Sequence, residues 1–227
     1  MKTLIFFLLF TTYNESDLLK NQVTLAKTLK ENGYIQKAVK KYEEILLVNK
    51  SAYLYIDIAS LHQQNGESEK ALTILKTAEK ELIDNFRITE QLALVYFDME
   101  NYEESKKYFF KVLKNKEDAD IIKRVAVLFN RLDKEEESLY YYEILVNKYK
   151  LYDYYLNLGL LYEKFGKIEE AEKSLENYHS LSENKDYAKN FLKKFYKKYN
   201  KTEKLEQLEQ NTIKIKKEMR PLLKSKR

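Results

Sequence analysis

Shifted against itself by 33 or 34 residues, the chain superposes five of its own segments, which begin near Leu19, Ala52, Phe86, Ala119 and Tyr152. A period of this length admits few architectures, because each segment must be one supersecondary unit that buries its apolar face only against its neighbours. One column of the superposition is always small: Ala26, Ala59, Ala93, Ala126, Gly159. The residue before it is always aliphatic: Leu25, Ile58, Leu92, Val125, Leu158. Three residues after it comes a larger side chain: Leu29, His62, Tyr96, Phe129, Tyr162. A second small column reads Ala38, Ala71, Ser105, Ser138, Ala171, and four residues on stand Tyr42, Leu75, Phe109, Tyr142 and Leu175.

Spacings of three and four, as in Leu158, Tyr162 and Phe165, put the first apolar set of each segment on one helix face. A turn signal follows at Asn32-Gly33, Asn65-Gly66, Glu100-Asn101, Asp133 and Gly166, where Gly or Asn can take the left-handed conformation that ends a helix. A second amphipathic helix then begins, as over Lys167 to Leu181. Small columns let paired helices approach, and stacked pairs bury what a lone pair leaves exposed, so an all-α solenoid of antiparallel pairs is expected. Composition agrees. Four Gly and one Pro in 227 residues cannot supply the turns of a mainly β fold, and 44% apolar residues argue against wholesale disorder.

The pattern of aliphatic-small-x-x-aromatic, then Ala-x-x-x-bulky, resembles the tetratricopeptide repeat. Leu158-Gly159-x-x-Tyr162 with Gly166 and Ala171 carries the resemblance closely, as does Leu92-Ala93-x-x-Tyr96 with Asn101-Tyr102-Glu103-Glu104. It covers about Asp17 to Glu183, roughly three quarters of the chain. Two departures stand out: no Trp opens the first helices, and no Pro joins the repeats. The resemblance implies a non-enzymatic scaffold or adaptor that holds a segment of a partner protein in a groove lined by first helices. It also allows a test for one ligand class, since some members grip a C-terminal carboxylate with a Lys/Asn clamp. Lys123 and Asn157 match two clamp positions, but Val127, Asp186 and Asn190 replace the rest, so no preference for an acidic chaperone-type tail is expected.

Organisation is read as an apolar segment at 1–16, five repeats over 17–184, and a degenerate sixth pair with a basic tail over 185–227. The seven apolar residues Leu4 to Phe10 are too few to span a bilayer but reach the lower bound for a secretory signal core. Two readings stand: a signal, placing the protein in the periplasm or envelope, or a segment folded on the first repeat of a cytoplasmic protein. Past Glu183, Ala188, Leu192, Phe195 and Tyr199 form one stripe and Leu205, Leu208, Ile215, Met219 and Leu222 another, as expected of a capping pair with one polar face.

Residues 185–227 carry 15 basic against 5 acidic side chains, a net of +10 within a chain of net +5. Lys189, Lys193, Lys194 and Lys197 oppose the first apolar stripe, either as a solvated face or as a contact for an anionic polymer, membrane or acidic protein. Nucleic acid is the weaker partner, because the aromatic residues between these lysines fall on the buried stripe and only five of 41 basic residues are Arg.

Little material exists for chemistry. The chain has no Cys and two His, and its four glycines are isolated, so no thiolate site, His-based metal centre or phosphate loop is expected. His62 sits in a packing column, and Glu103, Glu135 and Glu169 open second helices, where negative charge complements the helix dipole. No cofactor, metal or small-molecule substrate is therefore expected. Twenty Tyr either replace Phe and Trp in packing or, where densest near Tyr140 to Tyr155, supply an interface. The partner site is expected on the first helices of repeats three to five. Leu94, Phe97, Val127, Leu156 and Leu160 would form its apolar floor, and Lys123, Arg124 and Asn157 would fix polar groups, unless these side chains are inter-repeat packing.

Overall fold

A computed structural model describes the backbone of residues 2–210 and the side chains of residues 17–210. The chain divides into two compact units, Met1–Glu117 and Asp118–Arg227, with the boundary in the polar joint after the third repeat.

Unit 1 holds three helix pairs: α1 (Lys2–Glu31) with α2 (Ile35–Leu46), α3 (Ala52–Gln64) with α4 (Ser68–Glu81), and α5 (Phe86–Asp98) with α6 (Tyr102–Asn115). Unit 2 holds α7 (Ala119–Arg131) with α8 (Glu135–Asn147), a 3-10 turn at Tyr152–Tyr154 leading into α9 (Tyr155–Lys164) with α10 (Ile168–Leu181), and α11 (Lys185–Lys198), followed by a helical stretch over 202–210. No strand occurs among the described residues, and the fold is an all-α helical-repeat solenoid. Four of the five segment starts expected from the repeat fall at the first residue of α3, α5, α7 and the 3-10 turn.

The first start does not. Leu19 lies within α1, which runs from Lys2 through the polar residues 11–17 to Glu31 without a break. Polarity alone does not end a helix, and no Gly or Pro lies between residues 2 and 31. Side chains of the apolar run and the residues past 210, including Ile215 to Leu222, lie outside the described side chains. No helix among the described residues is long and apolar enough to cross a membrane.

The turns follow the expected chemistry with one exchange of roles. Gly33, Gly66 and Gly166 take φ of 77°, 75° and 70°, and Asp133 takes 54°. At the third turn the left-handed residue is Glu100, at φ 59°, and not Asn101. Asn101 instead caps α6, its side-chain oxygen accepting from the Glu104 amide. Asn85, Asp118 and Asn184 cap α5, α7 and α11 in the same way.

Both small columns are buried, and where Ser replaces Ala the hydroxyl is used. Ser105 Oγ donates to the Ala93 carbonyl at 2.8 Å, and Ser138 Oγ to the Ala126 carbonyl at 2.9 Å. Each bond joins the small residue of one helix to the small residue of its partner. The aliphatic column is buried at Ile58, Leu92, Val125 and Leu158, whereas Leu25 is 48% exposed.

Several of the tyrosines are packing residues with a use for the hydroxyl. Tyr108 donates to Glu79 at 3.1 Å and Tyr196 to Glu176 at 2.8 Å, while Tyr55 and Tyr162 reach Glu81 and Glu143. Each ring fills space between helices, and its polar tip ends on a carboxylate of a neighbour. Burial and the Glu81 carboxylate together push the Tyr55 phenol up to about 12.

Candidate functional site

In unit 2 the repeat places equivalent residues of α7, the α9 segment and α11 in register, 33 residues apart. Spacing of four, three and four makes a single stripe along each: Asp120-Arg124-Val127-Arg131, Asp153-Asn157-Leu160-Lys164, and Asp186-Asn190-Lys193-Lys197. All twelve are exposed except Val127, Asn157 and Lys193, which are half-buried. The first helices are neighbours. Lys123 and Asp120 of α7 act electrostatically on Tyr154 in the 3-10 turn, and Glu163 of α9 accepts from Lys198 at 2.7 Å and from Tyr199 at 3.3 Å.

Charge on this face is sorted. An acidic row, Asp120, Asp153 and Asp186, runs along the N-terminal ends of the first helices, and a basic row, Arg131, Lys164 and Lys197, along their C-terminal ends. Both positions complement the helix dipole. Between the rows lie Arg124, the amides Asn157 and Asn190, and the apolar pair Val127 and Leu160. Leu160 is 45% exposed on a helix whose other leucines turn inward.

The residues singled out from sequence divide accordingly. Arg124, Val127 and Leu160 lie on the striped face. Leu156 does not; it packs against the buried cluster of Ala171, Leu175, Leu192, Phe195 and Tyr196, so it belongs to the core side of α9. Asn157 spends its side chain on the Tyr142 phenol, and Lys123 pairs with Asp120 at 3.0 Å. The two positions that matched the carboxylate clamp are thus both engaged within the chain. Leu94 and Phe97 belong to α5 of unit 1, where Leu94 is half-buried and the Phe97 ring meets Tyr102 edge-on at 5.5 Å.

The basic segment is less available than its composition implies. Lys193 pairs with Glu209 at 2.7 Å, and Lys204 pairs with Glu172 at 2.8 Å and Glu176 at 3.0 Å. Lys201 also reaches Glu172, a carboxylate only 8% exposed. Lys194 and Lys197 are exposed, and Lys189 is half-buried. Sequence reasoning missed Glu172 and Glu176 because they lie on α10, some 30 residues from the lysines they hold.

His62 packs as its column suggested, its Nδ1 lying 2.7 Å from the Glu67 carboxylate. Glu67 is drawn down to about 2 by its bonds to Lys70 and His62. Among the described residues no cluster of three or more His, Cys, Asp or Glu could hold a metal ion.

Two family models, both of the tetratricopeptide repeat, match residues 9–159 and 152–185. Solved structures with the same fold include a tetratricopeptide repeat protein from Parabacteroides merdae, at TM-score 0.65 and 14% identity over 86% of this chain and 79% of that one. Pseudomonas aeruginosa pilF matches at TM-score 0.65 and 13% identity, over 88% of this chain and 92% of its own. The APC/C hetero-tetramer Cut9-Hcn1 matches at TM-score 0.54 and 15% identity, over 78% of this chain and 36% of the other. No curated protein sequence matches the chain. At these identities the structural matches speak for the fold alone.

Proposed function

Because the chain belongs to the tetratricopeptide repeat family, a family of protein-interaction scaffolds, we propose that it acts as an adaptor whose unit 2 holds a segment of a partner protein on the striped face of α7, α9 and α11. The observation that carries this reading is the in-register face itself. An apolar centre at Val127 and Leu160 lies between an acidic and a basic row, with Arg124 and Asn190 exposed beside it. Such a face suits an amphipathic segment that seats an apolar side chain on Leu160 and carries basic residues on one flank and acidic ones on the other. One similar structure is of a hetero-tetramer, Cut9-Hcn1; the reading here is that this chain too works by joining another protein. Contact through the lysine-rich segment is the poorer reading, since Lys193, Lys198, Lys201 and Lys204 already pair with carboxylates of the chain.

Affinity capture from the source cells tests the proposal. The full chain retains a defined set of proteins, and Leu160→Asp with Arg124→Glu loses them while its helical circular dichroism stays unchanged. Both side chains are exposed, so the substitutions should shift stability by only about 0.5 kcal/mol. Capture that survives the double substitution would refute the site, as would release of the partners by moderate salt alone, the signature of a purely electrostatic contact.

A further inference from the structure

The three most exposed large apolar side chains among the described residues all lie in the joints between helix pairs of unit 1. They are Leu47 at 83%, Ile83 at 80% and Val48 at 72%. Leu47 and Val48 form the joint from α2 to α3, and Ile83 the joint from α4 to α5. Lys50 of the first joint bonds Glu81 at the end of α4 at 2.9 Å, so the two joints stand side by side. Isolated exposed leucines are ordinary, but three on adjoining loops make a patch that marks an interaction site.

The second joint is a hydrogen-bonded turn. Asp84 takes the left-handed φ of 57°, the Asn85 amide donates to the Leu82 carbonyl at 3.2 Å, and the Asn85 side chain caps α5. On this turn Ile83 points outward. Beside it opens a cleft of about 730 Å³ between the ends of α4 and α6 and the start of α5, with Ile83 and the 38% exposed Phe86 on its wall. That volume lies within the range of sites that bury side chains of a ligand.

Charge decides the occupant. On the α6 wall stand Lys111 and Lys114, and Arg87 lies beside the Phe86 ring, its guanidinium carbon 5.9 Å from the ring centre. Two carboxylates line the cleft, Asp84 and Glu79, the latter pairing with Lys76 at 3.1 Å and with Lys111 at 3.9 Å. On the lining Lys111 and Lys114 balance Glu79 and Asp84, and Arg87 and Lys116, each 5.9 Å from the Phe86 ring centre, make the surround of the apolar floor net positive. A concave floor favours a side chain of a peptide over a flat lipid surface.

We propose that this edge of unit 1 is a second docking site, distinct from the first-helix face, and that it takes a short acidic peptide segment with a bulky apolar residue that enters the cleft beside Ile83 and Phe86. The test uses the full chain and a fluorescein-labelled probe, Asp-Glu-Asp-Leu-Phe-Asp-Glu-Asp, followed by fluorescence anisotropy. Wild type should bind it, Ile83→Ser and Lys114→Glu should each weaken binding about tenfold, and a probe with Lys in place of Asp and Glu should not bind. Both substituted residues are on the surface, and unchanged thermal midpoints verify that the fold is kept. Leu160→Asp should leave probe binding unchanged, which separates this site from the first-helix face. No binding by wild type, or binding that ignores Ile83→Ser and Lys114→Glu, overturns the proposal. So does sedimentation with phosphatidylserine vesicles that Ile83→Ser abolishes while probe binding persists, because the edge would then be a membrane contact.

Discussion

Gly159→Leu should unfold unit 2 at a thermal midpoint about 10 °C below that of the unaltered chain, a loss of about 2–3 kcal/mol. A Cβ built on Gly159 would stand 2.8 Å from both Cγ and Cδ2 of Leu175 and 3.4 Å from the Ala171 carbonyl. Leu175 cannot yield freely, for it is 2% exposed and part of the cluster that holds Leu192, Phe195 and Tyr196. The other repeats have Ala in this column, and in the fifth the bare Gly159 lets Leu175 close to where a Cβ would stand. Gly159→Ala, which gains about 1 kcal/mol of helix propensity, should still be destabilising, but by less than Gly159→Leu. Differential scanning calorimetry of the three proteins checks the order, and an unchanged midpoint for Gly159→Leu would mean that α9 and α10 do not approach there.

Glu172→Ala should release the helical stretch over 202–210 and leave the rest of unit 2 folded. Glu172 holds Lys201 and Lys204 from α10, Glu176 holds Lys204, and Leu205 and Leu208 seat on the same buried cluster. Losing the anion of a buried pair commonly costs 3–5 kcal/mol, but here the lysines are partly solvated and the effect falls to about 1–2 kcal/mol. Amide exchange over 202–210 should accelerate about 5–30-fold to match. Acid should do the same to the unaltered chain. Burial raises the Glu172 carboxyl, and Lys201 and Lys204 more than offset it, so the folded value lies below the ordinary 4.5. A depressed folded value makes the contribution complete above 4.5 and lost as pH falls through the folded value. Protection of 202–210 should therefore persist at pH 5 and disappear at lower pH, and protection that is flat with pH would remove Glu172 from this role.

The helix pairs were legible in the sequence because the column identities record packing directly. A residue that must let two helices touch can only be small, and this holds at Ala26 as at Gly159. Turns were legible for the same reason wherever Gly sat at the left-handed position. At the third turn Glu100 carries the positive φ, since the neighbouring Asn101 is worth more as a cap, and residue type alone does not distinguish the two uses. The site was less legible. Counting charges over all the first helices gives near cancellation, and only phasing them by the repeat separates the acidic row of Asp120, Asp153 and Asp186 from the basic one. Leu156 and Leu160 look alike in sequence, and which of them meets solvent depends on where α10 and α11 come to rest. The lysines after Lys185 read as a free cationic surface because their partners, Glu163, Glu172 and Glu176, are joined to them only by the fold.

Hydroxyl-radical footprinting of the captured complex, read at Leu160 by mass spectrometry, tests the proposed adaptor role most directly. In the free chain Leu160 is exposed and should oxidise readily, and Tyr140, 58% exposed on the second helix α8, serves as the internal reference. Partner capture on the first-helix face should protect Leu160 severalfold and leave Tyr140 unchanged. Protection of Tyr140 with Leu160 still reactive would place the partner on the second helices and contradict the account.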